Sequence, residues 1–332
     1  MLGIDLTNEL NVAIAAVRKA AVVCSAVQDF LASADKLQKQ DQSPVTVADF
    51  ASQAVICASL ADGSSVERVM AEENAAELRK AERAILRARV IEQARLSLGQ
   101  TIAESEVLDF IDRGAWRPDT PNQRYWTLDP VDGTKGFVRG VHYAIALALI
   151  DCGQVVLGVL ACPKLPGFDG SAGTLATAVR GQGAKAYPLA DETPAVTLRM
   201  GDIHQLSRAR LCESFEPSHS DQTVSSEVTA RLGLSLPSLR MDGQVKYVAL
   251  ASGQASIYLR IPKRDDYLEK IWDHAAGSLI VQEAGGVVTD IAGKPFDFSR
   301  GETLRANRGI VAAGRGVHRT VLKTVQEVVS GR

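Results

Sequence analysis

Acidic residues at four places give this chain its chemical potential: Asp49, Glu72, the pair Asp129 and Asp132, and Asp273. The pair stands in Trp126-Thr127-Leu128-Asp129-Pro130-Val131-Asp132-Gly133-Thr134-Lys135-Gly136-Phe137, where an apolar run enters what reads as a tight turn. Two carboxylates three residues apart are followed at once by a Gly and a Thr whose backbone N–H groups can face an anion. Hard cations such as Mg²⁺ take oxygen ligands and are held through a few carboxylates plus substrate phosphate. A carboxylate pair beside a Gly-Thr cradle is therefore what metal-assisted phosphoryl chemistry asks for. Alone, the same residues also make an ordinary surface turn. Asp49 could equally stabilise a helix start, Asp273 could cap a helix, and Glu72 with Glu73 could be solvated. All four places, however, lie where a β-like run or loop meets a helix start, which is where loops converge on a site. Brought together they form a cluster too repulsive to hold without cations.

The elements that must position them follow from hydrophobic spacing. Leu6, Leu10, Ala13, Val17, Ala20, Cys24, Val27 and Leu31 predict a long amphipathic helix, followed by a polar loop from Lys36 to Ser43. Thr46 and Asp49 resemble a capping pair at the start of a helix over Ala48–Leu60. A short β-like run, Val66–Met70, ends at Ala71-Glu72-Glu73. Ala75–Leu98 is rich in Ala, Glu, Arg and Leu and predicts a helical insertion on the surface; Glu104–Ile111 predicts another helix. Strands then take over: His142–Ile150 and Val155–Cys162 around Asp151-Cys152-Gly153, then Gly173–Val179 and Gly183–Tyr187 around Arg180-Gly181-Gln182. A polar stretch at Leu189–Thr193 suggests a division into two lobes, 1–189 with the metal site and 190–332 with the last acidic ligand. In the second lobe, helices are expected over Thr223–Leu232, Gln244–Ser252, Asp273–Ala284 (stopped by Gly285-Gly286) and His318–Val329. Strands are expected over Ala255–Ile261, Val287–Thr289 and Ile310–Ala313. Helices, then an antiparallel meander, then a mixed lobe is not the strict alternation of a doubly wound fold. No dinucleotide-binding or P-loop glycine pattern is present.

The totals narrow the classes. The 332 residues are 46% hydrophobic and 23% charged, which suits a globular enzyme with a large core. Lys and Arg number 37 against 39 Asp and Glu, so no global field draws in nucleic acid or an anionic membrane. Five scattered cysteines without a C-x-x-C argue against a disulfide framework or a zinc site and for the reducing cytoplasm. Neither a signal peptide nor an apolar run of membrane-spanning length is expected.

Asp129-Pro-Val-Asp132-Gly-Thr134 resembles the D-P-x-D-G-T signature of the inositol monophosphatase-like, lithium-sensitive Mg²⁺ phosphatases. Trp272-Asp273-His-Ala-Ala-Gly277, with Glu283-Ala-Gly-Gly286 after it, resembles that family's second signature, and Ala71-Glu72-Glu73 its G-E-E element with Ala for Gly. Ser43-Pro-Val-Thr-Val-Ala-Asp49, Gly136-Phe-Val-Arg-Gly140, Val156-Leu-Gly-Val-Leu-Ala-Cys-Pro163, Tyr258-Leu-Arg-Ile-Pro262 and Glu269-Lys-Ile-Trp272 are similar to the bisphosphate nucleotidase branch. The resemblance implies an α+β fold, a layered αβαβα sandwich. It implies two or three Mg²⁺ ions on Glu72, Asp129, Asp132, Asp273 and the carbonyl of Val131. Asp49 and Thr134 would orient and deprotonate the attacking water, and the N–H groups of Gly133 and Thr134 would hold the phosphate. His219, Lys246 and Arg260, with position 243, would surround the rest of a small phosphorylated nucleotide. Arg260 lies in an otherwise apolar strand, where an unpaired charge is costly, which suits a phosphate partner.

The expected reaction is removal of the 3′-phosphate of adenosine 3′,5′-bisphosphate by metal-activated water, with 3′-phosphoadenosine 5′-phosphosulfate as a further substrate. The alternatives are an inositol phosphate phosphatase of the same fold and an idle metal- or nucleotide-binding regulator. Two departures bear on substrate choice: Gly243 stands where the branch usually has Ser, and Val141-His142 replaces its usual Asp-Gln.

Overall fold

The computed structural model describes residues 5–29, 36–38, 44–191, 195–201, 205–216, 220–264 and 266–331, with the backbone alone at 36–38 and 44–46. Thr46 as a capping side chain, Ser43 and His219 lie outside what is described. The chain opens with helix α1 (Thr7–Asp29), a short ribbon of β1 (Lys36–Gln38) and β2 (Pro44–Thr46), and helix α2 (Val47–Gly63). Strand β3 (Val69–Ala71), helices α3 (Ala84–Leu98) and α4 (Glu104–Asp112), strand β4 (Arg124–Asp132) and the short helix α5 (Thr134–Val138) follow. Then come β5 (Ala144–Asp151), β6 (Gln154–Cys162), β7 (Thr174–Val179), β8 (Ala184–Pro188), β9 (Val196–Leu198) and β10 (Leu211–Ser214). The last third holds α6 (Gln222–Arg231), β11 (Leu239–Met241), α7 (Val245–Ala251), β12 (Ile257–Arg260), α8 (Ala275–Glu283), β13 (Gly286–Thr289), β14 (Ile310–Gly314) and α9 (Arg315–Ser330).

Strands β3 to β9 lie in sequence order in a seven-stranded sheet, antiparallel except for the parallel β3–β4 pair. A five-stranded mixed sheet has the order β11-β10-β12-β14-β13. Three cores hold five layers together, the second of them on both sides of the middle helices. The first packs α1 to α4 on one face of the large sheet through Trp126, Leu128, Ile145, Leu147 and Leu149. The second fills the space between the two sheets with α7 and α8, and the third covers the outer face of the small sheet with α6 and α9. The expected αβαβα sandwich is thus observed.

Strand β5 shows why the layers form. Ile145, Leu147 and Leu149 face α1 and α2, while Ala144, Ala146, Ala148 and Ile150 face the inner helices, so both sides are apolar at period two. Small residues on the inner side let α8 approach closely: a Cβ on Gly158 of β6 would come within 2.9 Å of the Ala276 carbonyl oxygen. The β5–β6 turn needs positive φ at both central residues, which Cys152 (51°) and Gly153 (73°) supply.

Four expectations change. Helix α1, at 23 residues, is long and apolar enough by length and composition to cross a bilayer. In the fold it is a core helix, burying Ala13, Val17, Ala20, Cys24 and Val27 against its neighbours. The segment from Ala75 is not one surface helix: it runs through turns and a single 3₁₀ turn (Ala81–Arg83) before α3 begins. Asp112 accepts the Ala75 N–H at 2.7 Å, Arg79 reaches Asp112 and Asp109, and Leu78, Leu86, Val90 and Ile91 are buried in the first core. The Asp129–Asp132 stretch is no tight turn but the end of β4, kinked by a bulge. Finally, β9 extends the first sheet past residue 189, so sheet membership changes only after Leu198.

Candidate active site

The bulge in β4 takes Pro130 and Val131 out of register with β5 before pairing resumes at Asp132, and Asp129, Val131 and Asp132 line a cavity of ≈ 240 Å³. Asp129 N-terminal to the bulge is buried, and its Oδ1 accepts the Val131 N–H at 3.1 Å. Asp132, half-buried, has its Oδ2 fixed by the Gln244 N–H at 2.6 Å. Gly133 takes φ 90° as the residue before α5, so the backbone swings round and Thr134 opens the helix beside the acids. The Thr134 hydroxyl donates to the Val131 carbonyl at 3.2 Å.

Glu72 arrives from the other direction, just after β3. Its N–H donates to the Leu128 carbonyl, which ties it to β4. Asp273 ends a 3₁₀ turn (Ile271–Asp273) before α8. It is not that helix's N-cap: His274 occupies the position, and its ring turns inward to Glu269 and Tyr247. Glu72, Asp129, Val131, Asp132 and Asp273 all face the one cavity, as do Gly133 and Thr134. Asp49 is buried near the start of α2; it is not on the cavity wall, yet its charge acts on Asp129.

Electrostatics expresses this crowding. Burial first, then the charges of Glu72, Asp132, Asp273 and Asp49, push the Asp129 carboxyl well above its ordinary range. Burial, with Asp132 and Glu72, does the same to Asp273. Asp132 is pushed up to about 6 by burial, moderated by Lys246 and Arg260. A set of oxygen donors that resists its own ionisation is the donor set a hard divalent cation relieves, and the residues present fit such an ion. Glu269, Asp273 and His274 also lie close together. There, however, Glu269 already meets Arg260 at 2.9 Å and His274 at 3.1 Å, so the trio is a brace.

Gly243, Lys246 and Arg260 line the same cavity. Lys246 is buried and its ammonium donates to the Gly243 and Met241 carbonyls at 2.7 and 3.3 Å. Burial lowers its pKa, against the pull of Asp132. Arg260 is not an unpaired charge seeking a phosphate: Glu269 neutralises it inside the protein, and Tyr267 accepts a further hydrogen bond from it at 3.0 Å. Its place on the cavity wall stands on geometry alone. Gly243 has φ 57°, and a Cβ there would lie 2.4 Å from the Asp132 carbonyl oxygen. The departure from Ser thus fits a backbone-to-backbone contact across the cavity floor.

Several positioning residues escaped the sequence reading. Ser52 donates to the Pro130 carbonyl at 3.0 Å, holding the bulge. Gln53 accepts the Glu73 N–H and donates to the Glu73 and Ile111 carbonyls, setting the turn that presents Glu72. Gln244 donates to the Trp272 carbonyl and accepts the Gly277 N–H, binding the Asp132 turn to the Asp273 turn. Asp49, Ser52 and Gln53 sit at i, i+3 and i+4 on a helix whose other residues from Val47 to Ala58 are apolar, which is the signal that could have found two of them.

A sequence profile of the inositol monophosphatase family matches residues 5–330. A 3′(2′),5′-bisphosphate nucleotidase of Schizosaccharomyces pombe is 39% identical over 340 residues, covering 97% of this chain and 96% of the relative. One from Oryza sativa is 41% identical over 346 residues, covering 97% and 94%. Among solved structures, the Thermotoga maritima IMPase superposes with a TM-score of 0.68 at 21% identity over 97% of this chain and 98% of that one. An inositol monophosphatase from Anabaena gives 0.62 at 18% identity, over 97% and 96%. At these identities the solved structures speak for the fold.

Proposed function

This chain belongs to the inositol monophosphatase family, and from that premise we propose that it hydrolyses the 3′-phosphate of adenosine 3′,5′-bisphosphate to AMP and phosphate. The near full-length likeness to bisphosphate nucleotidases carries the choice of substrate class. The sulfated analogue, 3′-phosphoadenosine 5′-phosphosulfate, is a further substrate on the same reading.

The family is generally Mg²⁺-dependent. We assign two or three ions to Glu72, Asp129, Asp132, Asp273 and the Val131 carbonyl, whose crowding on one cavity supports the assignment. When bound, such ions neutralise phosphate charge and make an adjacent water a stronger acid. The chain's own groups do the rest. Asp49 and the Thr134 hydroxyl take the proton from the attacking water. The N–H groups of Gly133 and Thr134 hold the phosphate oxygens, and Lys246 and Arg260, with Gly243 and His219, receive the remainder of the nucleotide. Water is the nucleophile on this reading, and no cysteine competes for the role: Cys24, Cys57, Cys162 and Cys212 are buried, which pushes each thiol pKa up, and Cys152 is not among the residues lining the cavity. All five cysteines are free, which supports a cytoplasmic location.

The deciding experiment is phosphate release from adenosine 3′,5′-bisphosphate, inositol 1-phosphate and inositol 1,4-bisphosphate, with Mg²⁺ and with Mg²⁺ plus Li⁺. The nucleotide is expected to be preferred, with turnover dependent on Mg²⁺ and inhibited by Li⁺. A preference for either inositol ester sinks the nucleotidase reading.

A further inference from the structure

At the mouth of the cavity stand two neighbouring exposed residues: Tyr267 is 45% exposed and Leu268 46%. Tyr267 is nevertheless held. Its hydroxyl accepts from the Arg260 guanidinium at 3.0 Å, and Arg260 is itself clamped by the buried Glu269 at 2.9 Å. The Arg260 Cζ lies 5.7 Å from the ring centroid. The ring is therefore presented toward the cavity before anything occupies it.

We propose that Tyr267, with Leu268 beside it, is the platform on which the heterocyclic base of the substrate rests, and so the element that separates nucleotides from polyol phosphates. The proposal rests on the nucleotidase reading and adds to it the residue that reads the base. Charge orders the bound molecule: the acidic end of the cavity takes the reacting phosphate through cations, and Lys246 and Arg260 suit anionic or hydroxylated parts. Of the described aromatic rings that line the cavity, Tyr247, Tyr258, Trp272 and His274 are buried, and Tyr267 is exposed. A purine has two π-faces that stack on an aromatic ring, and such stacking is sequence-tolerant and appreciable. An inositol ring carries hydroxyls around its rim and gains little there.

The test compares kcat/KM for adenosine 3′,5′-bisphosphate and for methyl ribofuranoside 3,5-bisphosphate, which keeps both phosphates and lacks the base. The ratio of the two is internal to each protein sample and so does not depend on the fraction folded. In the wild type the ratio should favour the nucleotide. In Tyr267→Ala it should fall about tenfold, mainly through KM, whereas Tyr267→Phe, which keeps the ring and loses the bond to Arg260, should retain it. A ratio unchanged in Tyr267→Ala, or lost equally in Tyr267→Phe, overturns the platform and leaves the nucleotidase reading standing. A wild type that handles both bisphosphates alike also overturns the platform alone. A wild type that prefers inositol 1-phosphate to both bisphosphates overturns the two together.

Discussion

Asp49, Ser52 and Gln53 share one buried face of α2; Ser52 holds the Pro130 carbonyl, Gln53 the Glu73 carbonyl, and the Asp49 charge acts on Asp129. Removing the charge at Asp49 while keeping its volume isolates the proposed proton acceptor from the proposed ligands. Asp49→Asn is expected to lower kcat by at least about a hundredfold while the Mg²⁺-induced rise in melting temperature persists. Turnover within a few-fold of wild type would remove Asp49 from the base role. At this scale the spacing of Asp129 and Asp132 singled out that pair, whereas Asp273 read equally well as a helix cap until the resemblance joined it to them; all three line the one cavity. Ser52, Gln53 and Gln244 were not legible, because their work lies in hydrogen bonds to backbone groups distant in the chain. Arg260 shows the same limit: a charge in an apolar strand signals a partner, but not that the partner is Glu269.

Among the elements, the end of β4 and the start of α7 meet in a close backbone joint at the site. The Gly243 backbone lies against Asp132, and Gln244 grips both Asp132 and the turn before α8. Gly243→Ser is therefore expected to destabilise the protein by about 1–3 kcal/mol, from the left-handed backbone and the displaced carbonyl, measured by urea unfolding. It should also weaken Mg²⁺ binding, since Asp132 must shift. An unchanged unfolding midpoint would mean that the joint yields freely. The longer elements could be read from periodicity, but β9, β10 and β11, three or four residues each, are too short to show any. The bulge looked like a turn because Asp, Pro and Gly serve both, and only pairing with β5 distinguishes them.

For the whole molecule, element order excluded a doubly wound fold but did not yield five layers; that came from the resemblance. Periodicity cannot say which helices fill the gap between two sheets. α7 and α8 are buried almost throughout and so lack the polar stripe of a surface helix, but the outer helix α2 is buried over most of its length too. The site straddles this arrangement, with Glu72 and Asp129 on the large sheet and Asp273 leading into the middle helices. Time enters here. On a ribosome, Asp273 follows Asp129 by roughly ten seconds, and α8 cannot seat on β6 until then. The chain must hold its acids apart from one another through that interval, with no complete site for a cation to fill. In refolding from urea, secondary structure should accordingly return before Mg²⁺ can raise the stability of what has formed. If Mg²⁺ protects the earliest compact species as well as the final one, the ligands gather before the layers do.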